Sequence, residues 1–167
     1  MNKLLGFSGI IERFKNAILA HEPLAAWCQD QFGKGLTLII GMDQRNPPGE
    51  TECPLIILTP EGPAIDGDAP DGREHRYPIG IRWGVVNEGV IRDGNVITYP
   101  GQAQADRMGQ LIWDALQAGC GDMLLPLAEP ELEAIAYFPL IPGWMLVTVT
   151  TPYLIGGAQI VYQPNQS

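Results

Sequence analysis

Three aspartates, Asp66, Asp68 and Asp71, stand close together in the stretch 60–78 (PEGPAIDGDAPDGREHRYP), and grouped carboxylates are what a Ca²⁺ site is built from. An EF-hand loop needs oxygen-bearing side chains at its first, third and fifth positions, Gly at the sixth and Glu at the twelfth. Counted from Asp66, the fifth position is Pro70, the sixth Asp71 and the twelfth Tyr77. That spacing excludes an EF-hand and leaves acidic turn residues in a solvated loop. A hydrolase that uses these aspartates with a divalent cation is the alternative that this group keeps open.

The remaining inventory is thin. His21 sits at a helix end, where the negative pole of the helix dipole is reason enough for it, and His75 lies in the long loop among Arg73, Glu74 and Arg76 with no partner for base chemistry. No H-E-x-x-H and no Cys/His pair is present. Cys28, Cys53 and Cys120 are odd in number and far apart, so they read as buried apolar residues in a reducing compartment. The only serines are Ser8 and Ser167, and no G-x-S-x-G occurs, so the sequence all but excludes serine-nucleophile catalysis. Gly33-Lys34-Gly35 lacks a phosphate-loop frame. Paired carboxylates occur at Glu129, Glu131 and Glu133 and at Glu50 and Glu52; Glu131 and Glu133 would share one face of a strand, which describes a solvated strand rim as well as an acid pair. The sequence thus assigns no catalytic residue, no metal ligand and no cofactor.

The elements that must carry these residues follow from hydrophobic spacing. Ile10, Ile11, Phe14, Ala17 and Ile18 repeat at helical period after Ser8, which predicts a helix over 9–21 with Ser8 as N-cap. Pro23 suits the first turn of a second helix, which Gly33 and Gly35 end. Strands are predicted at 36–42 (LTLIIGM), 54–59 (PLIILT) and 79–86 (IGIRWGVV), with Pro54 and Pro78 at strand starts. In the last of these Ile79, Ile81, Trp83 and Val85 share one face. Asp93-Gly94-Asn95 marks a hairpin between Val90–Arg92 and Val96–Tyr99. A helix is predicted over 102–118, then strands at 132–138 and 144–151 around 139–143, and a partly disordered tail from 152. Short connections favour antiparallel pairing, so the fold class is α+β, a mostly antiparallel sheet with helices on one face, in a single domain spanning 1–167.

Composition narrows the partners. A net charge of −9 argues against direct nucleic-acid binding, which draws on Lys and Arg to neutralise phosphates. No apolar run approaches the length of about 20 residues that crosses a bilayer, and the N-terminus lacks the apolar core of a signal peptide, which points to the cytoplasm. Charged residues make up only 17% against 46% hydrophobic, so some apolar surface is expected to meet a partner. An acidic protein-binding module that masks a basic partner is a second alternative.

The order of elements resembles the tail terminator, or tail completion, proteins of long-tailed bacteriophages and prophages. The resemblance runs from about Ile10 to Thr151 and is carried by the opening helix, by LIIGMDQRNPPGETECPLIIL, by YPIGIRWGVV and by ITYPGQAQADRMGQLIWDAL. It implies a small α+β fold without catalysis, assembled as a homo-oligomeric ring, a hexamer, that caps the tail tube and meets the head connector. The location would be the host cytoplasm during assembly and then the virion tail. By the same resemblance Asp66, Asp68, Asp71, Arg73 and Arg76 become candidates for subunit or partner contacts. The richness of the 60–78 stretch and the apolar segment 153–162 (YLIGGAQIVY) depart from the family pattern.

Overall fold

A computed structural model describes residues 6–62, 65–66, 75–122, 131–132 and 138–151. The chain opens with helix α1 (Phe7–Ala20), which starts earlier than its periodicity predicts. Its N-cap is Gly6, whose carbonyl accepts a hydrogen bond from the Ile10 N–H at 3.0 Å, and Ser8 lies inside the first turn without capping anything. The extra turn is held by Phe7, whose ring packs edge-on against Tyr77 with centroids 5.0 Å apart. Helix α2 (Glu22–Phe32) follows with proline in its first turn, and it stops at Gly33, whose φ of 66° is the left-handed conformation that glycine adopts without strain.

Strands β1 (Thr37–Ile40) and β2 (Leu55–Pro60) pair in parallel, against the expectation from short connections. The connection from 41 to 54, with its 3-10 turn at Glu50–Glu52, is long enough to return the chain to the end where β1 began, as a parallel pair requires. The other ladders are antiparallel. Strand β4 (His75–Val86) pairs with β2 on one side and with β8 (Leu140–Thr151) on the other, while the short strands β3 (Ile65–Asp66) and β7 (Glu131–Leu132) pair with β4 and β8. The sheet order is β1-β2-β4-β8-β7, with β3 off that path.

Two predicted boundaries move for one reason. β8 offers β4 a partner along its whole length, from His75 opposite Thr151 to Val86 opposite Leu140, so β4 begins at His75 and β8 runs unbroken through Pro142 and Gly143. Pro78 accordingly lies within β4 and presents its carbonyl to the Glu61 N–H at 2.9 Å. His75 belongs to a strand and not to a loop. Gly143 is required on β8 because a Cβ there would fall 2.2 Å from the Trp83 ring. That ring is fixed by its indole N–H, which donates to the Ala105 carbonyl at 2.8 Å.

The third helix, α3 (Gly101–Cys120), lies with α1 and α2 on one face of the sheet. Tyr77, Ile79, Ile81, Trp83 and Val85 of β4 point into this core together with Met145, Val147 and Val149 of β8, as the alternation in β4 predicts. α1 and α3 approach closely at Gly119, where a Cβ would sit 2.5 Å from that of Ala17. The fold is α+β, with helices packed against one face of a largely antiparallel sheet.

Between β4 and α3 the chain departs from the sheet to form the hairpin β5 (Ile91–Asp93) and β6 (Val96–Thr98), closed at Gly94 with φ 55°. This is the turn predicted at Asp93-Gly94-Asn95. The hairpin is a separate two-stranded sheet.

Candidate interaction surface

Two of the five predicted contact residues, Asp66 and Arg76, are described, and they take neighbouring positions on the paired strands β3 and β4. Asp66 belongs to β3, opposite His75, and Arg76 belongs to β4, opposite Ile65 and Thr150. Asp68, Asp71 and Arg73 lie outside the described residues, as do Glu133 and the tail from 152. The stretch 60–78 is therefore not one long unstructured connection, because β2 ends within it, β3 forms in it and β4 begins in it. Among the described residues no group of three or more His, Cys, Asp or Glu is placed to hold a metal ion.

The sheet face away from the helices carries two patches. At one end Cys53, Leu55 and Ile57 form a small apolar cluster with Ile39, Val86 and Leu140. Toward the other end Arg82 of β4 donates to Glu61 Oε1 at 2.7 Å and to Thr59 Oγ1 at 2.9 Å, and the Thr59 hydroxyl donates to the same Glu61 oxygen at 2.8 Å. The Glu61 side chain crosses the sheet over Gly80, where a Cβ would come within 2.4 Å of its carboxylate. Desolvation alone would raise the Glu61 pKa, but the hydrogen bonds from Arg82 and Thr59 and the Arg82 charge outweigh it, so the carboxyl sits below its ordinary value. An acid so neutralised is a clip between β2 and β4 and a poor general base. Sequence reading overlooked it, although a glycine inside a strand next to Thr59 and Glu61 at i, i+2 was a signal for a close side-chain approach.

The thiols offer no nucleophile either. All three cysteines are free and buried, and desolvation pushes Cys28 and Cys53 up to about 11, so both stay protonated at neutral pH.

What stands out is the hairpin. Every residue from 90 to 99 is exposed, including Val90, Ile91, Val96, Ile97 and Tyr99, and the Tyr99 ring meets exposed Phe138 edge-on at 5.3 Å. Val90-Ile91 and Val96-Ile97 place apolar side chains on both faces of the ribbon. Together with Phe138 these residues expose on the order of 600 Å², the upper end of the largest apolar patch on a typical monomer. The base of the hairpin is well anchored. The Asn87 N–H donates to the Pro139 carbonyl at 3.0 Å, its side-chain oxygen accepts from the Gly89 N–H at 2.6 Å, and its amide donates to Gln104 Oε1 at 2.6 Å. Gln104 in turn donates to Gln31 of α2 at 3.1 Å, so the root is tied to the residue preceding β8, to α3 and to α2 together. An anchored root under an exposed apolar ribbon makes the hairpin the candidate interaction surface among the described residues. The sequence signal was the doubled apolar pairs, since a hairpin that packs on its own core buries one face only.

No helix among the described residues is long and apolar enough to cross a membrane. No protein-family model matches the chain, and no curated protein matches it either.

Proposed function

We propose that this chain is a non-enzymatic assembly subunit that forms a homo-oligomeric ring, of the tail terminator type, capping a phage or prophage tail tube and meeting the head connector. One observation carries the reading: an anchored hairpin exposes apolar side chains on both faces, an area at the upper end of what a typical monomer keeps in water. The described titratable groups support it, because the half-buried acid is neutralised by Arg82 and the thiols are buried. The element order supplies the tail terminator expectation, and the ring size, the tail partners and a place in the host cytoplasm and then the virion belong to the same proposal. Electron microscopy of particles produced without this protein tests it. Tails of abnormal length that fail to join heads are expected, and tails of normal length bearing heads would contradict the reading.

A further inference from the structure

The hairpin and the open edge of the main sheet together indicate what the hairpin docks on. β1 is an edge strand among the described residues, pairing with β2 alone, and its outer edge presents the sequence Thr37-Leu38-Ile39-Ile40. Natural edges are blunted by charges, prolines or bulges, since unpaired backbone N–H and C=O groups recruit other strands. None of these devices occurs in 36–42 (LTLIIGM), the nearest charges being Lys34 and Asp43. Ile40 and Met42 are instead exposed by 52% and 41%. Among the described residues β5 and β6 pair only with each other, so each also has an open edge there, and their three-residue length suits a four-residue acceptor.

We infer that the arm formed by β5 and β6 adds as strands to the β1 edge of a second copy of this chain, its apolar side chains covering Ile40 and Met42 there. This rests on the ring reading above and gives it a contact. Three observations select a second copy over another partner. Donor arm and acceptor edge are both present in one chain and are different surfaces, which is the condition for a head-to-tail contact that closes into a ring. Backbone pairing would satisfy both sets of open edge groups at once. The exposed arm residues together with Phe138, on the order of 600 Å², make up about three quarters of the roughly 800 Å² that one partner contributes to a stable interface, and the exposed arm residues Arg92, Asp93 and Thr98 add to the same side.

Because the native cysteines are buried, introduced surface thiols report the contact without background. Chains carrying Ile40→Cys are mixed in equal amounts with chains carrying Ile91→Cys or Ile97→Cys, oxidised, and the disulfide-linked species identified by mass. All three positions are exposed, so folding is not at risk. The expected result is a product pairing one chain of each kind, in at least tenfold excess over either self-pair, and lost when the arm carries Val96→Glu. Self-pairs of the Ile97→Cys chain in equal or greater amount would mean that arms dock on arms and would overturn the inference. An oligomer by light scattering that yields no mixed product would overturn the inference and leave the ring reading standing. A chain that remains a monomer at every concentration would overturn both.

Discussion

β4 and the hairpin that follows it are built from the same kinds of residue and have opposite fates. Ile79, Ile81 and Val85 are fully buried under α1 and α3, whereas a few residues later Ile91 is 56% and Val96 61% exposed. β-branched composition specified a strand in both places. What differs is cover: β4 lies between β2 and β8 with helices above it, and among the described residues the strands of the hairpin pair only with each other. On the proposed reading, apolar character serves folding in the first region and association in the second. The face of β4 away from the core carries Gly80, Arg82 and Gly84 with Val86 of the small apolar cluster, while the hairpin mixes apolar side chains with Arg92, Asp93 and Thr98 on both faces.

The sharpest way to break this contrast is to truncate inside β4. Trp83→Ala removes a buried indole and its hydrogen bond to Ala105, and a loss of about 3 to 5 kcal/mol is expected in urea unfolding. Gly143→Val comes next, since its side chain must displace the Trp83 ring, and about 1 to 3 kcal/mol of destabilisation is expected by the same measurement.

Glu61→Gln has a smaller effect, about 1 kcal/mol, because the Arg82 pair is partly exposed and screened. Its pH dependence sharpens the assignment. The folded carboxyl has a lowered pKa, so its contribution is fully present above the unfolded value of about 4.3 and fades as pH falls through the folded one. The stability gap between the parent and Glu61→Gln should therefore hold from neutral pH down to that region and close below it. A gap that widens on acidification would place the charge elsewhere.

The smallest effect on protomer stability is expected in the arm. Ile97→Thr should shift the unfolding free energy of dilute protein by no more than about 0.5 kcal/mol, as an exposed side chain outside the core. A loss comparable to that of Trp83→Ala would mean that the hairpin folds onto its own chain.

Much of the frame was legible in the sequence. The helical stripe of Ile10 to Ile18, the helix predicted over 102–118, the alternation in β4 and the Gly94 turn were each specified locally, by side-chain period or by a backbone conformation that glycine favours. The extent of β4 and β8 was not, because Pro78, Pro142 and Gly143 read as breaks. They are tolerated where a twelve-residue partner holds the ladder on either side of them. The parallel pairing of β1 with β2 depends on how the 41–54 connection returns, which no local pattern encodes. For the interaction surface the sequence drew attention to the aspartates of 60–78, whose type suggested chemistry. Val90-Ile91 and Val96-Ile97 were read only as strand formers, because exposure is a property of the neighbours a residue lacks.

The central claim is that the apolar hairpin serves association of this chain with itself. Light scattering across a concentration series measures it directly, comparing the parent with an Ile91→Glu, Val96→Glu double variant whose melting temperature is unchanged. The parent is expected to assemble to a defined multiple of 18.2 kDa and the variant to stay at the protomer mass. Equal masses for the two at every concentration, whether monomeric or assembled, would contradict the claim.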